Sequence, residues 1–131
     1  MMNTGELRSE SGKKQKETAC HGRLERVLYG RSLSAEWIRL EQGISVTVYG
    51  GDLAHIGAVS VADPSGEVKT LVFPGHKDQF IAKPWAEAIY QKTGLPVTVS
   101  AGIHYDNLSR EGIARVLALA EDMRKELLEQ L

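Results

Sequence analysis

Three of the four histidines in this chain stand in short glycine-containing segments beside an acidic residue. The first segment runs Gly50, Gly51, Asp52, Leu53, Ala54, His55, Ile56, Gly57. The second is Pro74, Gly75, His76, Lys77, Asp78, and the third is Ala101, Gly102, Ile103, His104, Tyr105, Asp106, Asn107. An imidazole can donate or accept a hydrogen bond, ligate a metal, or change charge near neutrality. Glycine lets the backbone turn tightly or admit a ligand at close range. The fourth histidine, His21, stands at the junction with a polar N-terminal stretch and is read as incidental.

Two chemistries fit these residues. One is the binding of a phosphate or flavin-like anion by Lys77, the amides around Gly75–Asp78 and Gly50–Asp52, and the rings of His76 and His104. The second and third segments each leave an apolar strand and enter a helix, whose first amides and dipole favour negative charge. The other chemistry is a divalent metal held by two or three of His55, His76 and His104 with a carboxylate from Asp52, Asp78 or Asp106. No two histidines share an i, i+4 spacing and no Cys/His ligand pattern occurs, so spacing assigns no metal site. Nucleophilic catalysis has little support. No serine lies in a G-x-S-x-G context, and the single Cys20 has nothing nearby to activate its thiol. Each segment also has a plain reading, a loop histidine bonded to a neighbouring carboxylate. Three such segments in one small chain point instead to a shared functional surface.

The elements that must position these turns follow from side-chain periodicity. Residues 1–20 are polar, mixed in charge and nearly free of large apolar side chains, so they are expected to form a flexible tail. Residues 21–131 are expected to form one domain. Strands are expected at Leu24–Tyr29, Ala35–Glu41, Ile44–Tyr49, Ile56–Ala62 and Val68–Phe73, with turns at Gln42–Gly43 and at Asp63–Gly66. The pairs Phe80/Ile81, Pro84/Trp85 and Ala88/Ile89 recur every fourth residue, which predicts a helix kinked or restarted at Pro84 and capped at Gly94. A short buried strand, Val97–Ala101, precedes a long helix capped by Ser109, with apolar positions Ile113, Val116, Leu117, Ala120, Leu127 and Leu131. The order βββββαβα implies an α/β (α+β) fold, with a mixed sheet and two helices packed on one face. Ala35–Glu41 is a strand suited to pairing across a dimer axis.

Composition narrows the function. Hydrophobic residues make up 42% and charged residues 25%, the proportions of an ordinary globular protein. A formal net charge of −1 supplies no overall field to attract nucleic acid or an anionic membrane. No stretch has the roughly 18 apolar residues of a membrane span, so a cytoplasmic location is expected.

At the three turns the sequence resembles the LpdD-like prenylated-flavin chaperones, which accompany decarboxylases of the UbiD type such as gallate decarboxylase. The resemblance rests on GGDLAHIGAVSVA, FPGHKDQFIAKPWAEAI and GLPVTVSAGIHYDNLSREGI, and covers roughly residues 30–130. It implies a largely antiparallel sheet similar to that of proteasome assembly chaperones. It also implies a non-catalytic accessory role: binding prenylated FMN, or FMN itself, and delivering it to or protecting it for the decarboxylase. The implied partners are that decarboxylase and a flavin prenyltransferase; a homodimer is left open by the strand Ala35–Glu41, and the sequence does not give the oligomeric state. From the motif residues and their chemistry, the expected cofactor contacts are Gly50, Gly51, Asp52, His55, Gly75, His76, Lys77, Asp78, His104, Tyr105, Asp106 and Asn107. Lys77 and the helix-start amides suit a phosphate, and Tyr105 suits stacking on a flat ring. Trp85 lies on the apolar helical stripe and is read as core. Two other classes remain open: a metal-dependent enzyme on the same turns, and an assembly scaffold with no ligand.

Overall fold

The computed structural model describes residues 21–131. The expected tail at residues 1–20, with Cys20, lies outside the described residues. Alternating residues build six strands: β1 (His21–Leu28), β2 (Arg31–Leu40), β3 (Gly43–Gly51), β4 (Ala58–Ala62), β5 (Val68–Val72) and β6 (Val97–His104). Helix α1 (Gln79–Thr93) precedes β6 and helix α2 (Arg110–Gln130) follows it, in the order the periodicity predicts. The strands form a single sheet ordered β1-β2-β3-β6-β4-β5. Only β3 and β6 run parallel, and the other neighbours are antiparallel.

The register sorts the side chains into two faces. Trp37 pairs with Val46, Val46 with Val99, and Val99 with Ser60, so one apolar layer crosses the sheet. A second layer runs Leu24, Ala35, Val48, Ala101, Ala58. The apolar residues of both layers share one buried cluster with Ile81, Ala82, Trp85, Ala86 and Ile89 of α1 and Val116, Ala120, Met123 and Leu127 of α2. Both helices therefore cover the same face. The opposite face carries exposed Val27, Ile38, Leu40, Val61 and Leu71.

Several details differ from the sequence expectation, among them the ends of two strands, since β4 begins at Ala58 rather than Ile56 and β6 runs on to His104. Helix α1 runs unbroken through Pro84, so it does not restart there, although the ring nitrogen has no hydrogen to donate within the helix. The buried stripe of α1 uses Ala82 and Ala86 rather than Phe80, which is 60% exposed. On α2, Met123 is buried while Ile113 and Leu117 are 47% and 38% exposed. A helix covers only the side that meets the sheet, and an apolar residue a quarter-turn away is left at the margin. Finally, β2 is bonded on both sides, to β1 and β3. Ala35–Glu41 therefore cannot pair across a dimer axis, because its backbone groups are already taken.

The local signals at the helix ends hold. Gly94 closes α1 in the left-handed conformation (φ 71°) and its N–H donates to the Tyr90 carbonyl. Ser109 caps α2 by accepting a hydrogen bond from the Gly112 N–H at 3.0 Å.

Candidate functional site

Strand order decides where the site lies. Because β6 sits between β3 and β4, residues 52–57 must cross over the end of β6 to pass from β3 to β4. The crossing is stitched to β6 by the Asp52 N–H on the His104 carbonyl (2.6 Å) and the Gly57 N–H on the Ala101 carbonyl (2.8 Å). Two glycines permit the close approach. A Cβ on Gly102 would stand 1.6 Å from the His55 carbonyl oxygen, and one on Gly51 would stand 2.2 Å from that of His104. The crossing lies at the carboxyl ends of the parallel pair β3 and β6, where a reversal of strand order commonly opens a ligand crevice.

The crossing brings His55 against the second segment. His55 Nε2 lies 3.1 Å from His76 Nδ1 and 3.3 Å from Asp78 Oδ2, and His76 Nδ1 lies 3.9 Å from the same oxygen. Asp78 is buried, and its Oδ1 accepts a hydrogen bond from the Ile103 N–H at 3.0 Å. Gly57 leaves the space for that carboxylate, since a Cβ there would meet Asp78 Oδ2 at 2.0 Å. On its far ring nitrogen His55 Nδ1 stands 3.1 Å from the Leu53 carbonyl. The ring of His104 is 6.5 Å from that of His55, roughly edge-on. Its Nε2 donates to Asp106 Oδ1 at 2.9 Å. All three histidines line one open groove of about 330 Å³ with Gly75, Lys77 and Asp78.

Apolar residues also line the groove, among them Ile103, Leu108, Ile113 and Leu117. The sequence marks Ile113 and Leu117 as apolar positions of the long helix and does not single out Ile103 or Leu108. Their apolar character was visible. Their position at the edge of the helix layer was not.

Other expected contacts lie elsewhere. Gly50 and Gly51 have positive φ and admit close backbone neighbours, Ser32 and His104 respectively, so their glycine character is accounted for by packing. Asp52, Asp106 and Asn107 line an adjoining cleft beside Tyr29. There Asp52 Oδ2 accepts the Asp106 N–H at 2.9 Å and its Oδ1 accepts from Arg31 Nε at 2.8 Å. The Asp106 N–H, first, and the Arg31 guanidinium hold the Asp52 carboxyl below the usual carboxylate range. Tyr105 touches both clefts but is only 7% exposed. Its hydroxyl donates to the Leu28 carbonyl at 2.8 Å and its ring packs edge-on to Tyr29. Little of its face is free to stack on a ligand, and burial raises the affinity of its hydroxyl for its proton. Trp85 is buried in the core, as its place on the helical stripe predicts.

Fold and sequence can now be set against known proteins. The chain superposes on a component of a novel chaperone complex for yeast 20S proteasome assembly with a TM-score of 0.56. The match covers 86% of this chain and 99% of that one at 15% identity, which establishes a shared fold of the proteasome-assembly-chaperone kind. Residues 29–131, which contain all three histidine turns, match the prenylated flavin chaperone LpdD-like domain, and the chain belongs to that family. Protein LpdD of Lactiplantibacillus plantarum is 30% identical over 91 residues, 66% of this chain and 67% of that protein. Among the described residues, no helix is long and apolar enough to cross a membrane.

Proposed function

We propose that the groove binds prenylated FMN and that the protein delivers the cofactor to, or protects it for, a UbiD-type decarboxylase after a flavin prenyltransferase has made it. The observation that carries this reading is the convergence of the three histidine turns on one groove lined by both polar and apolar residues. Lys77 and the Gly75–Asp78 turn supply polar groups suited to the phosphate. The apolar side chains of Ile103, Leu108, Ile113 and Leu117 in its lining suit the flat, prenylated ring system. The openness of the groove also fits the role, because a ligand meant for transfer must leave again. The proposed setting is cytoplasmic, and a homodimer would have to form through surfaces other than β2.

The test is anaerobic titration of the purified protein with reduced prenylated FMN, followed by its flavin absorbance. Lys77→Ala should weaken binding about tenfold, the equivalent of one charge-assisted hydrogen bond. The exposed position should keep the stability change under about 0.5 kcal/mol. Absence of flavin binding, together with no change in decarboxylase maturation on co-expression, would remove the basis for this function.

A further inference from the structure

His55, His76 and Asp78 bring three potential metal-ligand atoms within 4.8 Å of one another. A carbonyl oxygen only accepts, so the contact of His55 Nδ1 with Leu53 puts the hydrogen on Nδ1. In a neutral ring Nε2 then presents a lone pair, and what it faces is the Asp78 carboxylate and the ring nitrogen of His76. Asp78 cannot turn away, because its other oxygen is held by the Ile103 N–H. With His76 in the tautomer that carries its hydrogen on Nε2, three electron-rich atoms converge on one point, an arrangement that a cation between them makes favourable.

We propose that His55 Nε2, His76 Nδ1 and Asp78 Oδ2 bind a first-row divalent transition-metal ion in the lining of the groove. The spacing supports an ion. Donors about 2.1 Å from one metal stand about 3.4 Å apart in a tetrahedral set and about 3.0 Å apart when adjacent in an octahedral one. The observed separations are 3.1, 3.3 and 3.9 Å. The outer contacts also fit. A metal-binding histidine usually donates its other N–H to a carbonyl, and a metal-binding carboxylate is usually hydrogen-bonded in turn, as His55 and Asp78 are here. Two imidazoles with one carboxylate favour a metal of the zinc, iron, cobalt or manganese kind over magnesium or calcium, which prefer all-oxygen sites. The three side chains line the groove, so the remaining coordination positions open toward whatever occupies it, and an anionic oxygen is the natural further ligand.

Metal uptake in the absence of any flavin tests this site separately from the flavin reading. The full chain, prepared without a histidine tag and stripped with chelator, is titrated with Co²⁺ and followed by its visible d–d absorption, with Zn²⁺ as competitor. The wild type should saturate near one Co²⁺ per chain, and Zn²⁺ should displace it. His76→Ala and Asp78→Asn should each bind more than about 100-fold more weakly, since loss of a ligand exceeds the usual effect of losing an outer contact. His76 is exposed, and asparagine keeps the oxygen that Ile103 needs, so neither change removes a core contact. Glu87→Gln, elsewhere on α1, should bind as the wild type does. A wild type that takes up no Co²⁺, or a folded His76→Ala or Asp78→Asn protein that binds it as tightly as wild type, would overturn the assignment.

Discussion

Helices α1 and α2 both begin with a residue suited to capping, and the two residues behave differently. At α2, Ser109 has extended backbone and folds its hydroxyl back onto the Gly112 N–H. At α1, Asp78 occupies the same position but makes no side-chain cap bond. Its carboxylate reaches across to the Ile103 N–H and to His55 instead. A cap typically contributes about 1 kcal/mol to helix stability, so Asp78 forgoes a local gain for a tertiary one. The difference teaches where to look for function. Ser109 serves its own helix, whereas Asp78 joins α1, β6 and the 52–57 crossing at the edge of the groove.

Mutations at the two starts should therefore separate stability from binding. The largest effect is expected for Asp78→Ala, which leaves the Ile103 N–H without its acceptor and should cost about 1–3 kcal/mol. It should also abolish ligand uptake in the groove, read by a denaturant melt beside a binding titration. Ser109→Ala should cost about 1 kcal/mol in the same melt yet leave groove binding unchanged. Equal binding losses in the two variants would erase the distinction between the helix starts.

The smallest effect concerns the neighbouring clasp, in which Asp52 ties Arg31 to the Asp106 backbone. Its carboxyl is held below the ordinary value in the folded state. Its contribution is therefore complete above the unfolded carboxyl pKa, about 3.9, and is lost as pH falls through the lower folded value. Across an acid titration below about pH 4, Asp52→Asn should lose less stability than the wild type. A parallel loss in both proteins would show that the clasp is not electrostatic.

Much of the fold was legible because strands and helices leave periodic marks. Alternation at Ala35, Trp37, Ile44, Val46 and Val48 located two strands, and Gly94 and Ser109 marked helix ends correctly. The margins were harder. Phe80, Ile113 and Leu117 are as apolar as their buried neighbours, and periodicity alone does not say which side of a wide stripe meets the sheet. The strand expected to lie open at a dimer axis was misplaced for a related reason, since pairing partners depend on sheet order. In the site, all three histidine segments were visible as chemistry. Tyr105, which lay in a turn and looked available, proved to be tied to Leu28.

By itself the sequence determined the element order, the apolar layers and the residue types gathered in three turns, because each is written in local spacing. It also carried the family resemblance through those turns. Only the tertiary structure decided that β6 enters between β3 and β4, which forces residues 52–57 across it and sets His55 beside His76 and Asp78. His55 lies 21 positions from His76 in the chain, and no i, i+4 or Cys/His pattern links it to His76 or Asp78. Their convergence depends on strand order and on the side-chain space left by Gly57 and Gly102, and neither has a local signature.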